Sequence, residues 1–157
     1  MSRRRRAEKR AISLDIKFNS EVIQKFINKV MRQGKKTIAQ NIVYNALEQF
    51  AKKVSIESPV QAFEQALENA KPALEVKSRR IGGATYQVPV EIAPGRRSNI
   101  AMSWIIENAK GKVGKNMVDG LVIELYDCFN NQGSTIKKKD DMHKMAEANK
   151  AFAHYKW

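Results

Sequence analysis

Apolar positions recur at helical spacing through most of the chain. Val22, Ile23, Phe26, Ile27, Val30 and Met31 follow Asn19-Ser20, which offers an N-cap, and together they predict a first helix. Gly34 is expected to stop it as a C′ glycine. A second helix follows almost at once and is predicted to bury Ile38, Ile42, Val43, Ala46, Leu47 and Phe50. Ser58-Pro59 reads as N-cap and first-turn proline of a third helix carrying Val60, Phe63, Ala66, Leu67 and Ala70, which Pro72 ends. Pro94 opens a fourth helix through Ile100, Trp104, Ile105 and Ala109. After the loop KGKVGKN, a fifth uses Met117, Val118, Leu121, Val122, Leu125 and Phe129. Asn130 to Gly133 break it, and Ser134 is expected to cap a sixth, far more polar helix to about Asn149.

The period changes at VKSRRIGGATYQVPV. Two β-rich runs, Leu74–Ile81 and Ala84–Ile92, flank Gly82-Gly83. Paired glycines supply the positive φ angles of a two-residue hairpin turn. Counting outward pairs Ile81 with Ala84, Arg80 with Thr85, Arg79 with Tyr86 and Ser78 with Gln87. A lone two-stranded hairpin is marginal in water, and the outer half of this one is spent on arginine and small polar residues. The expected fold is mainly α: a single-domain bundle of six helices with one protruding β-hairpin arm between the third and fourth. The arm spans 73–93 within one domain of 1–157. Residues 1–14 are expected to form a basic flexible arm, and 134–157 a C-terminal helix and tail.

Charge then gives this fold a partner. The net charge is +13, with 29 Lys/Arg against 16 Asp/Glu. Residues 1–36 hold 12 basic and 3 acidic groups, while 71–97 hold 6 and 2. Such an excess repels itself in the compact state and calls for a polyanion, nucleic acid first and an anionic membrane second. No apolar run approaches membrane-spanning length, and the helices need their apolar sides for the core, so no membrane partner is expected. Cys128 is alone, which rules out an internal disulfide and reads as a small core residue.

Gly34-Lys35-Lys36 is the sharpest local signal. Cations at a helix N-terminus oppose the macrodipole, and a docked anion reverses that sign. Lys25, Lys29 and Arg32 share the polar face of the preceding helix. A helix-turn-helix reader of DNA is the rival reading here, carried only by Gln40, Asn41 and Asn45. In the hairpin, Lys77, Arg79 and Arg80 beside Tyr86 suit a phosphate backbone with exposed bases. Arg79 and Arg80 touch no core in this reading. Arg96 and Arg97 at the hairpin's exit, Lys110, Lys112 and Lys115 in the loop, and Lys137, Lys138 and Lys139 extend the same surface. Enzyme readings fail. His143 and His154 have no Cys nearby, so no metal site is expected. Gly111–Lys115 lacks the earlier glycine, the preceding strand and the Ser/Thr of a P-loop. Asp140-Asp141 have no partner base. No catalytic residue and no cofactor is expected.

Three blocks match a known pattern: DIKFNSEVIQKFINKVMRQGKKTIAQNIVYNAL (15–47), RRIGGATYQVPVEI (79–92) and HKMAEANKAFAHYKW (143–157). They resemble the bacterial-type small-subunit ribosomal protein S-seven family, across essentially the whole chain. Asp15-Ile16-Lys17 departs from that family's usual Asp-Pro, and Ala93-Pro94-Gly95 from its more charged segment.

The resemblance implies a non-enzymatic, monomeric constituent of the small ribosomal subunit. Such a protein binds the three-prime major domain of small-subunit rRNA, nucleates head assembly and lies near exit-site tRNA and mRNA. It also implies small-subunit proteins nine and eleven as neighbours, in a bacterial cytoplasmic ribosome or, alternatively, an organellar one. Lys25, Lys29, Arg32, Lys35 and Lys36 would make the main phosphate surface. Lys77, Arg79, Arg80 and Tyr86 would flank the arm, with Gly82 and Gly83 letting its tip approach RNA closely. Arg3, Arg4, Arg5, Arg6, Lys9 and Arg10 would thread between rRNA helices. Lys144, Lys150, Tyr155, Lys156 and Trp157 would face RNA or tRNA.

Overall fold

The computed structural model describes residues 10–155; Arg3, Arg4, Arg5, Arg6, Lys9, Lys156 and Trp157 lie outside them. The described chain runs α1 (Glu21–Val30), α2 (Lys36–Val54), α3 (Pro59–Ala70), β1 (Leu74–Ile81), β2 (Ala84–Glu91), α4 (Pro94–Lys110), α5 (Met117–Phe129) and α6 (Gly133–Ala148). A 3-10 helix, Lys150–Tyr155, follows α6. The expected six-helix, one-hairpin architecture is therefore observed.

Each helix forms where its apolar spacing and termini direct. Ser20 caps α1 by accepting from the Ile23 N–H, and Ile23, Phe26, Ile27 and Val30 turn inward. Pro59 occupies the first turn of α3, where its missing N–H costs nothing. The Asn116 side chain caps α5 by accepting from the Asp119 N–H at 2.8 Å. α5 is the hub, packing on α2, α3, α4 and α6. Its buried Leu121, Val122, Leu125 and Cys128 join Phe26, Leu47, Phe50, Phe63 and Ile105 in one core. Phe26 and Phe63 meet with ring centroids 5.0 Å apart.

Three local expectations are corrected. Gly34 does not end α1: the helix closes at Val30, Met31 is extended, and the chain reverses through Gln33 and Gly34, both at positive φ. Ile38 is not core but 54% exposed; Ala39 takes the buried position, and Ile42 is only half-buried. The α2 stripe thus runs Ala39, Val43, Ala46, Leu47 and Phe50. Nor does Ser134 cap α6, whose N-cap is Gln132 with no side-chain bond. The first-turn N–H of Thr135 is instead satisfied by Glu124 Oε1 of α5 at 3.0 Å, so a tertiary contact replaces the local cap.

The hairpin register is the one counted from the turn, from Ile81↔Ala84 outward through Ser78↔Gln87 to Leu74↔Glu91. Gly82 and Gly83 sit at φ 54° and 90°, the left-handed pair that a tight turn needs.

Candidate nucleic-acid interface

Where α1 ends, α2 begins and α4 ends, two grooves adjoin. One, of about 310 Å³, is lined by Val30, Arg32, Lys35, Ile38, Ala39, Ile42, Lys110 and Met117. The other, of about 440 Å³, is lined by Lys29, Arg32, Ser103, Ile106, Glu107 and Lys110. Arg32 and Lys110 belong to both. The reversal through Gln33 and Gly34 is what places Arg32 and Lys35 on this edge. No side chain caps the N-terminus of α2, where the Lys36 N–H is taken by the Gly34 carbonyl at 2.8 Å, so the positive end of the helix and the Lys35 and Lys36 side chains occupy the same place. A phosphate there gains from both.

The predicted cations divide into two classes. Arg10, Arg32, Lys35, Lys36, Arg80, Lys110, Lys115, Lys137 and Lys144 are exposed or line these grooves. Among the described residues none of their side chains makes an ion pair or a hydrogen bond, although, after the hydrogen bond from Lys138, Lys110 helps hold the Glu107 carboxyl below its ordinary range from a longer distance. The rest are engaged in the fold. Lys25 pairs with Glu21 at 2.6 Å. The Lys29 ammonium staples α1 to α4 by donating to the Asn99 carbonyl at 2.5 Å and to the Ser103 hydroxyl, and burial lowers its pKa. Lys77 and Arg96 both pair with Glu75 at 3.1 Å. Burial alone would raise the Glu75 carboxyl, but these two cations hold it below the ordinary range. Arg97 Nε donates to the Ile92 carbonyl at 2.8 Å. Lys138 pairs with Glu107 at 2.8 Å while lying over the Trp104 ring, and Lys139 donates to the Asn69 carbonyl at 2.7 Å. Lys150 pairs with Glu147 at 3.4 Å.

Lys112 is set apart from the loop surface on which the sequence places it. Its side chain is 26% exposed and lies 3.0 Å from Glu124 Oε2 and 3.5 Å from Asp127 Oδ2. Glu124 is fully buried. Its Oε1 accepts from the Thr135 N–H and, at 2.6 Å, from the Thr135 hydroxyl. Its Oε2 meets the Lys112 ammonium at ion-pair distance but outside hydrogen-bond alignment.

On the arm, Arg80 is exposed, while Arg79 and Tyr86 are half-buried beneath the 3-10 helix. Arg79 donates to the Tyr155 carbonyl. Tyr86 lies 5.2 Å from Phe152 and 5.4 Å from Tyr155 between ring centroids. Part of the hairpin's support is therefore the chain's own C-terminus. The two histidines bond to the backbone. His143 Nε2 accepts from the Ala73 N–H at 3.0 Å, and His154 Nδ1 lies 2.8 Å from the Ala151 carbonyl. No group of three metal-ligating side chains occurs among the described residues. Burial, with Glu124 nearby, pushes the Cys128 thiol up to about 12, which leaves it inert.

The apolar floor between the cations is Ile38, Ile42 and Met117, all members of the apolar sets the sequence predicts for their helices; Ile42 and Met117 do pack against the core, and Ile38 stands exposed. The signal was present in the spacing: Ile38 and Ile42 lie one position off the Ala39–Val43–Ala46–Phe50 stripe.

The whole arrangement has relatives. A family model described as ribosomal protein S7p/S5e matches residues 2–150. The chain is 66% identical to "Small ribosomal subunit protein uS7" of Protochlamydia amoebophila over 157 residues, covering all of both chains. It is 65% identical to the protein of that name from Chlamydia trachomatis serovar D and 64% to that from Chlamydia felis, again over full length.

Proposed function

The chain belongs to the ribosomal protein S7p/S5e family, and from that premise we propose that its cationic edge holds folded small-subunit rRNA. As a member it is a structural, non-enzymatic constituent of the small ribosomal subunit, translating nothing itself but supporting translation. The observation that carries the RNA reading is the set Arg32, Lys35 and Lys110 around an apolar floor, with Lys36 opening α2 beside it, none of whose side chains forms an ion pair or hydrogen bond among the described residues. Phosphates satisfy the charges and the uncapped helix terminus together. In this reading the RNA is the three-prime major domain, whose folding the protein nucleates as the head assembles. Arg80 and the Gly82-Gly83 tip project toward exit-site tRNA and mRNA. Small-subunit proteins nine and eleven are the neighbours, in the ribosomes of a bacterial cytoplasm. The basic residues 1–14 and the C-terminal cations Lys144, Lys150 and Lys156 add contacts to the same RNA.

Salt dependence tests this. With about eight phosphates neutralised, log K for a head-domain rRNA fragment falls against log salt with a slope of roughly −6 to −7. A flat response, or equal competition by duplex DNA at fixed salt, defeats the reading. Replacing Arg32, Lys35 and Lys36 together by alanine is expected to make the slope shallower by about 2–3 and to weaken all rRNA fragments alike. Melting of the free protein should stay nearly unchanged, because all three side chains are exposed. Lys112→Met is the internal control: it should leave the slope where it was.

A further inference from the structure

Support for the hairpin changes along its length. At the base, Val88 and Ile92 are buried, and the Ile92 N–H donates to the Ala73 carbonyl at 3.0 Å. Beyond the Lys77↔Val88 rung no arm residue is buried. What covers this outer half is the 3-10 helix. Arg79 and Tyr86 are cross-strand partners, and both are gripped: Arg79 by the Tyr155 carbonyl, Tyr86 by the rings of Phe152 and Tyr155. The 3-10 helix, for its part, buries no residue of its own and packs on β2 and the end of α6.

Neither piece is robust alone. A two-stranded ribbon is marginal in water, and short 3-10 helices have poor hydrogen-bond geometry. Each supplies the surface the other lacks. We infer that the outer arm and the C-terminal 3-10 helix form one cooperative unit, closed through Arg79, Tyr86, Phe152 and Tyr155, so that whatever orders one orders the other. Two contacts made on this unit reinforce each other because the first removes the ordering cost of the second. That consequence for RNA rests on the proposed rRNA role; the coupling itself does not.

Amide hydrogen exchange on the full chain without RNA reads the coupling directly. Phe152→Ala is expected to lower protection about tenfold across Arg79–Gln87 as well as across Ala151–Tyr155, with α1 to α5 unchanged. Tyr86→Ala should do the same from the other side, and the double variant should lose no more than either single. The inference is overturned if Phe152→Ala loosens only its own segment while the arm keeps wild-type protection. It is equally overturned if the double loss equals the product of the two singles. Because no RNA enters the experiment, failure of the rRNA reading shows up separately, as a flat salt response.

Discussion

Lys112→Met is expected to lower the unfolding free energy by about 2–4 kcal/mol, a core-sized loss from what the sequence presents as a loop lysine. Glu124 is fully buried, and Lys112 lies 3.0 Å from its Oε2. Removing one partner of a buried pair costs about 3–5 kcal/mol because the other charge stays desolvated; the residual exposure of Lys112 trims that figure. The network reaches further, since Asn108 donates to the Thr135 hydroxyl at 2.9 Å and so ties α4 to the start of α6. Glu124→Gln in the Lys112→Met background keeps an acceptor for the Thr135 N–H and removes the stranded charge. The double variant should therefore recover most of the loss, a strongly non-additive pair in denaturant titrations. Additive losses, or a loss below about 0.5 kcal/mol for Lys112→Met, would return Lys112 to the surface class. Alkaline pH gives a second readout. Burial alone would lower the Lys112 ammonium, but Glu124 and Asp127 outweigh it and hold its pKa above the ordinary 10.5. A raised pKa contributes stability that is complete below 10.5 and disappears as pH climbs through the folded value. The wild type should then lose stability in that window faster than Lys112→Met does.

Gly120→Ala separates local propensity from packing by the sign of its effect. In an isolated helix, alanine for glycine is worth about 1 kcal/mol of stabilisation. Here a Cβ on Gly120 would stand 2.5 Å from the Ala109 carbonyl oxygen and 3.3 Å from its carbon, both backbone atoms of α4. Neither can swing aside as a flexible side chain would, so α4 and α5 must separate. Overpacking of this kind costs about 1–3 kcal/mol. The expected result is a lower melting temperature, by roughly 2–4 °C per kcal/mol for a chain of this size, with Gly120→Val falling further. A rise in melting temperature for Gly120→Ala would show that the two helices do not approach this closely.

Much of this molecule was legible along the chain because its determinants are local. Apolar spacing, Ser20, Pro59 and Pro94 placed the helices. Gly82-Gly83 placed the turn, and with it every rung of the hairpin. The family pattern was readable for the same reason, in contiguous blocks. The misreadings have a common cause. Ile38 reads as core in the sequence because hydrophobicity does not say which edge of a stripe faces a neighbour. Ser134 reads as a cap because the competing acceptor, Glu124, lies ten residues upstream on another helix. For the candidate cations, residue type alone does not distinguish Arg32, exposed and without a side-chain bond among the described residues, from Lys29 and Lys112, which meet protein acceptors.

The sequence by itself determined the order and type of the elements, the hairpin register and the positive charge that demands a polyanion. These follow from neighbours within a few residues, or from composition. Only the tertiary structure decided which lysines remain available, that Gly120 is a contact point between α4 and α5, and that the arm leans on the C-terminal 3-10 helix. Each of these depends on groups far apart in the chain meeting at a few ångströms, and burial then sets whether a charge is paired, stapled or left for a partner.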